Sequence, residues 1–209
     1  MAILISLFLP YAYAATAGDR GGTAPAVICL ERAPASTDES PLVFWREQTD
    51  KPRPLAMFFL RIDLSASGLE MVAMPSPDPD GDGKAEGLLT DPLEMAGMHQ
   101  ALAAINANGF NVLEKKSLLG DAFSAGAKAV AVGLLAHRGK LLSIPETGDR
   151  PDPCFWLYRA GKPHIDAFPG ANADIAEGIS AWCIDLVDNG ASLPKPDEVL
   201  HPRTALGLD

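Results

Sequence analysis

Ala129-Val130-Ala131-Val132-Gly133-Leu134-Leu135-Ala136-His137-Arg138-Gly139-Lys140-Leu141-Leu142-Ser143-Ile144 is the stretch that decides the fold class. Two apolar runs, Ala129–Leu135 and Lys140–Ile144, flank His137-Arg138-Gly139, and a glycine in so short a polar break is a hairpin signal. The same pattern returns downstream. Cys154–Tyr158 and His164–Phe168 flank Ala160-Gly161-Lys162, and Ile179–Val187 leads into Asp188-Asn189-Gly190, where Asn and Gly both tolerate positive φ. Successive hairpins predict an antiparallel sheet.

Upstream, Ala26–Leu30 and Leu55–Leu64 read as strands. In the second, Phe59, Arg61 and Asp63 alternate with Phe58, Leu60, Ile62 and Leu64 at period two. Ala33–Pro54 is proline-rich and polar and reads as a long loop, and Pro75–Gly83 cannot hold regular structure. At Asp91-Pro92-Leu93-Glu94 the aspartate suits a helix cap, the proline the first helical position and the glutamate the first turn. That helix is expected to run to about Ala101, hand over to a buried strand at Leu102–Ile105, and end at Asn106-Ala107-Asn108-Gly109-Phe110. The expected class is α+β, a mostly antiparallel sheet with hairpins and one or two helices.

A chain of 209 residues holds one sizeable domain or a shortened larger one, and 47% hydrophobic with 21% charged residues is ordinary for a globular protein. The formal net charge of -10 argues against a phosphate-backbone binder, so nucleic acid is not an expected partner. Three cysteines, Cys29, Cys154 and Cys183, make no disulfide scaffold and no C-x-x-C pair. One disulfide with one leftover thiol, or three buried thiols, both fit.

Residues Ala2–Leu9 form a short apolar run before Pro10 and Ala12-Tyr13-Ala14. Small residues three apart after such a run suit a signal-peptidase site with cleavage after Ala14. A stable membrane insertion is not expected, because spanning a bilayer takes about 20 apolar residues. The reading is therefore of a secreted or periplasmic protein: residues 1–14 as leader, 15–54 as a strand and loop, 55–209 as the main domain. A buried N-terminal strand is the other reading of Ala2–Leu9.

Two segments stand out as carriers of chemistry. The amides of Asn106 and Asn108, at a strand end, can bond sugar hydroxyls or phosphate oxygens, or they can simply shape a turn. Arg203-Thr204, inside His201-Pro202-Arg203-Thr204-Ala205-Leu206-Gly207-Leu208-Asp209, is a good anion holder: a planar guanidinium takes phosphate bidentately and the hydroxyl adds a donor. The same arginine can also pair with a carboxylate.

In this order the two segments resemble the phosphodiester glycosidase family, relatives of the enzyme that uncovers mannose 6-phosphate by removing N-acetylglucosamine. In that family an Ile-Asn-x-x-Phe-Phe-like strand end is followed by hairpins and then by Pro-Arg-Thr-Ala-Ile-Gly. Here Ile105-Asn106 with Phe110, Gly133-Leu134 with Arg138-Gly139-Lys140, and Pro202 to Gly207 take those places, over roughly residues 54–209. The resemblance implies an exported hydrolase acting on a carbohydrate or glycan phosphodiester. It implies Asn106, Asn108, Arg203 and Thr204 on the substrate, and it makes His201 the acid/base candidate. A non-catalytic secreted glycan-binding module is the alternative.

Two departures mark this chain. Gly109 stands where the family has the first aromatic of its pair. Family members also continue past this point, through a Gly-rich, Glu-containing helix start and a late Leu-Asp-Gly-Gly-Gly-Ser segment. The expectation is a domain incomplete at its C-terminus and inactive as these residues alone.

Asp78-Pro79-Asp80-Gly81-Asp82-Gly83 places carboxylates at alternate positions before a glycine, as a calcium loop does. In the EF-hand register its twelfth position is Leu89, not glutamate, so Ca²⁺ at Asp78, Asp80 and Asp82 is a minor expectation beside a solvated acidic turn. No other cofactor is implied. His99, His137, His164 and His201 show no paired ligand spacing, and Trp45, Trp156 and Trp182 are able to stack on sugars, though Trp156 and Trp182 sit in expected strands where core packing is the default.

Overall fold

A computed structural model describes residues 2–10, 41–51, 54–78, 80–81, 86–113, 125–146, 153–180, 186–188, 190–193 and 203–208. The chain divides into two compact units, Met1–Leu69 with Asp197–Asp209, and Glu70–Pro196. Among the described residues every strand pairing is antiparallel and there is one helix. The molecule is α+β and mostly antiparallel sheet, as the hairpin signals predict.

The first unit is built on β3 (Leu55–Asp63), the strand whose period-two alternation was legible. On one side it pairs with β2 (Leu42–Thr49), on the other with β1 (Ala2–Pro10), and β14 (Arg203–Leu208) pairs with the far side of β1. β2 corrects the reading of Ala33–Pro54 as one loop. Its prolines fall outside Leu42–Thr49, and Leu42-Val43-Phe44-Trp45 is strongly β-forming once a partner strand is available. Trp45 stacks on Phe59, directly opposite in register, with ring centroids 4.8 Å apart and planes within 9°. Phe44 stacks on Phe58, and the Arg46 guanidinium lies 5.3 Å from the Phe58 centroid. Such pairs add about 0.5–1.5 kcal/mol each beyond area burial.

After β3 the chain turns on Asp63, whose Oδ1 accepts from the Ser65 amide at 2.9 Å and the Ser65 hydroxyl at 2.7 Å. These two bonds, the hydroxyl's first, hold the exposed Asp63 carboxyl below its ordinary value.

The second unit holds a three-stranded sheet in the order β4-β6-β5, formed by β4 (Glu86–Leu88), β5 (Phe110–Val112) and β6 (Lys128–Ala131). It also holds β7 (Leu135–His137), β8 (Lys140–Ser143), β9 (Pro153–Tyr158), β10 (Pro163–Ala167) and β11 (Ile175–Ile179) in the order β10-β9-β11-β7-β8. A ribbon of β12 (Val187–Asp188) and β13 (Ala191–Ser192) closes over the expected turn, of which Asn189 lies outside the described residues.

Ala129–Leu135 is therefore not one strand. The chain leaves the small sheet at Ala131 and enters the large one at Leu135, and the break falls on Gly133, whose φ of +81° suits glycine alone at no cost.

Helix α1 (Pro92–Met98) begins as read: Asp91 Oδ1 accepts from the Leu93 amide at 2.8 Å and Pro92 stands at its first position. It stops three residues short of Ala101. Gln100 turns left-handed at φ +52°, its amide reaching Gly97 O while the Ala101 amide reaches Ala96 O, a Schellman closure. The helix buries none of its residues, so nothing draws it further. The expected strand at Leu102–Ile105 does not form: these residues bend at Leu102 and carry no ladder pairing, which resumes only at Phe110. Leu102 is 73% exposed, so the burial that would hold a strand there is missing.

The core of this unit lies on one face of the five-stranded sheet. Ala136, Gly178, Trp156 and His164 stand opposite one another across β7, β11, β9 and β10, and Cys154 and Tyr158 share that face by alternation. Leu134, fully buried, packs against Gly178, where a Cβ would come 2.8 Å from Leu134 Cδ2. Trimming Leu134 to alanine would cost about 2–5 kcal/mol. A bulge between Ile175 and Glu177 resets the alternation of β11, so Ile175 joins this core while Glu177 turns to the other face.

Candidate functional site

Ile105–Phe110, the first segment with chemical promise, approaches the large sheet through Asn108. Its Nδ2 lies 3.0 Å from Val132 O, 2.6 Å from Leu134 O and 2.8 Å from Ser180 O. Two amide hydrogens are thus shared among three carbonyls, which fixes which end of the carboxamide is nitrogen. Among the described residues the buried Oδ1 atom has no hydrogen-bond partner, a cost of about 1–3 kcal/mol that the three carbonyl contacts offset. The Asn108 amide nitrogen is engaged within the fold. Asn106, two residues earlier, is exposed.

Ser180 completes this junction from the end of β11. Its hydroxyl accepts from the Leu134 amide at 3.0 Å, its amide donates to Leu134 O at 2.9 Å, and its carbonyl takes Asn108. Gly133 passes so close that a Cβ there would fall on the Ser180 carbonyl oxygen. Asn108, Gly133, Leu134 and Ser180 form one interlocked crossing between the two sheets.

On the opposite face of the large sheet lies Glu177, 5% exposed. Its Oε2 accepts from the Ala73 amide at 2.9 Å and meets His137 Nδ1 at 3.3 Å, while Oε1 accepts from the Arg138 amide at 2.8 Å. A buried carboxylate is tolerable only with such partners. The contact favours the His137 tautomer with its proton on Nδ1, which leaves Nε2 as the basic nitrogen on a side chain 22% exposed. The Arg138 amide that Oε1 holds belongs to a residue with φ +49° in the β7–β8 turn. An arginine in that conformation is strained by about 1–2 kcal/mol.

The remaining expected residues lie as follows. Arg203 opens β14 with its Cα opposite Phe8, and Thr204 is exposed opposite Leu7. They belong to the first unit, whereas Asn106 and Asn108 belong to the second. His201 and Asp82 lie outside the described residues, as do Trp182, Cys29 and Cys183. Asp78 uses its Oδ1 to accept from the Asp80 amide at 3.2 Å and the Gly81 amide at 3.0 Å, a local turn cap. Among the described residues no three His, Cys, Asp or Glu side chains converge to hold a metal ion. No described helix is long and apolar enough to cross a membrane. Trp156 is buried in the core and stacks on His164, with centroids 5.4 Å apart.

Compared with known proteins, the chain matches no family model, no curated protein and no solved structure.

Glu177 and Ser180 were missed from the sequence. The signal for Glu177 is faint but real: a single glutamate inside Ile175-Ala176-Glu177-Gly178-Ile179, where a carboxylate among strand apolars needs a buried partner.

Proposed function

We propose that the protein is an exported hydrolase that cleaves a sugar–phosphodiester bond. The observation that supports this is the fixed station of Asn106. Asn108 pins the segment to three carbonyls, and the exposed carboxamide two residues earlier is held where a ligand can reach it. The other support is the resemblance of Pro202–Gly207 to an anion-holding motif. In this reading Asn106 contacts sugar or phosphate, and the resemblance alone assigns Arg203 and Thr204 to the phosphate and His201 to proton transfer. Water adds across the bond between the anomeric carbon and the phosphate oxygen, giving free sugar and a phosphomonoester.

The test is turnover of an N-acetylglucosamine 1-phosphodiester by the full-length protein carrying these residues. Arg203→Ala is expected to lower the rate at least about tenfold, the scale of one lost charge-assisted bond. A variant as fast as its parent overturns the assignment of Arg203. Saturable glycan binding without turnover moves the protein to the glycan-binding class.

A further inference from the structure

Strand direction gathers an unusual set of side chains at one end of the five-stranded sheet. The β7–β8 turn, the β9–β10 turn and the start of β11 all lie there: Gly139 N donates to Ala176 O at 2.7 Å and Arg159 N donates to Asp174 O at 3.1 Å. Arg138, Lys140, Arg159 and Lys162 are all exposed at this end. In the two turns and the first residues of β11 the acids are Asp174 and Glu177. Asp174 is engaged by Arg159 Nε at 2.8 Å, and Glu177 is buried beneath the turn on its amide partners. The exposed Glu146 follows the opposite end of β8, and the exposed Asp166 lies within β10, one residue before its far end. In a chain with net charge -10, the described residues at this sheet end carry more cations than acids.

The cations are also placed, not merely present. Arg159 Nη2 lies against Gly139, where a Cβ would collide with it, and Asp174 fixes the other side of the guanidinium. The Nη donors remain on a side chain 57% exposed. Arg138 occupies a left-handed turn position (φ +49°) that asparagine or glycine fills without strain, and Glu177 holds its amide. His137 stands beside it on the same carboxylate. Two guanidinium groups and two ammonium groups around two adjacent turns offer the planar forks and point charges that phosphate oxygens accept.

We propose that this end of the five-stranded sheet is a phosphate-binding surface that captures a phosphoryl group. Its cations, set against an otherwise acidic molecule, orient an anionic ligand on approach. The assignment is independent of the hydrolase reading, because it uses no residue assigned to catalysis and predicts binding whether or not turnover occurs.

The experiment is an amide NMR titration of the protein with inorganic phosphate, pyrophosphate and glucose 1-phosphate at low salt. Shifts centred on Arg138, Gly139, Arg159 and Lys162 are expected, and they should weaken as the salt is raised. Arg138→Gln with Lys162→Gln, two exposed positions, should weaken binding at least about tenfold, the scale of one or two lost charge-assisted bonds. Lys128→Gln, on the exposed side of β6, should leave it unchanged. Equal affinity for inorganic phosphate and glucose 1-phosphate means that the phosphoryl group alone is recognised, and tighter binding of the sugar phosphate means that the surface extends to its sugar. Either ranking sustains the assignment. No shifts up to about 20 mM ligand, well beyond the millimolar range expected of so weak a site, or a double variant that binds like its parent, overturns it.

Discussion

Glu177 Oε2 accepts the Ala73 amide at 2.9 Å across 104 positions of sequence. The bond fastens the irregular segment at Ala73, itself 7% exposed, to the middle of the large sheet. Glu177→Ala would leave the Ala73 and Arg138 amides without an acceptor, each costing about 1–3 kcal/mol. Glu177→Gln keeps one oxygen and should lose about half as much. Urea unfolding of both variants checks the order, and equal stability of the alanine variant and its parent would remove the latch.

Gly133 supports a second prediction. Gly133→Ala combines a left-handed φ of +81° with a Cβ on the Ser180 carbonyl, so a loss of at least about 2 kcal/mol is expected. Gly161 has a φ of +78° but nothing within 4 Å of an added Cβ. Gly161→Ala should cost only the conformational part, about 1–2 kcal/mol. Melting curves of the two variants separate strain from collision.

These contacts also show what sequence could carry. β3 and the three hairpin turns were legible because alternation and turn chemistry are local. β2 was not, since the prolines flanking it dominate a single-chain reading and its partner strand supplies the stabilisation. The break at Gly133 was hidden inside an unbroken apolar run, and only the positive φ shows that the run serves two sheets. The three carbonyls that gather around Asn108 come from Val132, Leu134 and Ser180, distant in sequence, so a local reading does not reveal them.

Asn106 and Asn108 should therefore behave differently. Asn108→Ala removes the nitrogen that bridges Val132, Leu134 and Ser180, and is expected to lower stability by about 1–3 kcal/mol. Asn106→Ala, at an exposed position, should leave stability within about 0.5 kcal/mol and reduce substrate affinity. Thermal melts paired with substrate titration test the division, and the reverse pattern would exchange the two roles.

Asp63 yields a pH prediction. Its carboxyl is held below the ordinary aspartate value, first by the Ser65 hydroxyl and then by the Ser65 amide. A depressed carboxylate stabilises the fold above its unfolded pKa, and that contribution fades as pH falls through the lower folded value. Ser65→Ala removes the larger cause, so the Asp63 titration followed by NMR should move upward. An unchanged midpoint would mean that the hydroxyl bond at 2.7 Å does not form in solution.

The last prediction concerns Ala2–Pro10, which reads as a leader yet forms β1. Its ladder pairs every residue from Ala2 to Pro10 with β3, and Ile3 to Phe8 with β14. Cleavage after Ala14 would take away the strand shared by both. Because β3 and β14 each run antiparallel to β1, they run parallel to one another, about 10 Å apart at two strand spacings. They cannot close the gap by keeping their present register, since a parallel ladder needs a different hydrogen-bond pattern. If the export reading holds, the protein begins at Ala15 by mass spectrometry, with every second amide of Leu55–Asp63 exchanging quickly while those bonded to β2 stay protected. A mass that retains Met1, with protection on both sides of β3, would make Ala2–Pro10 a permanent strand and end the export reading.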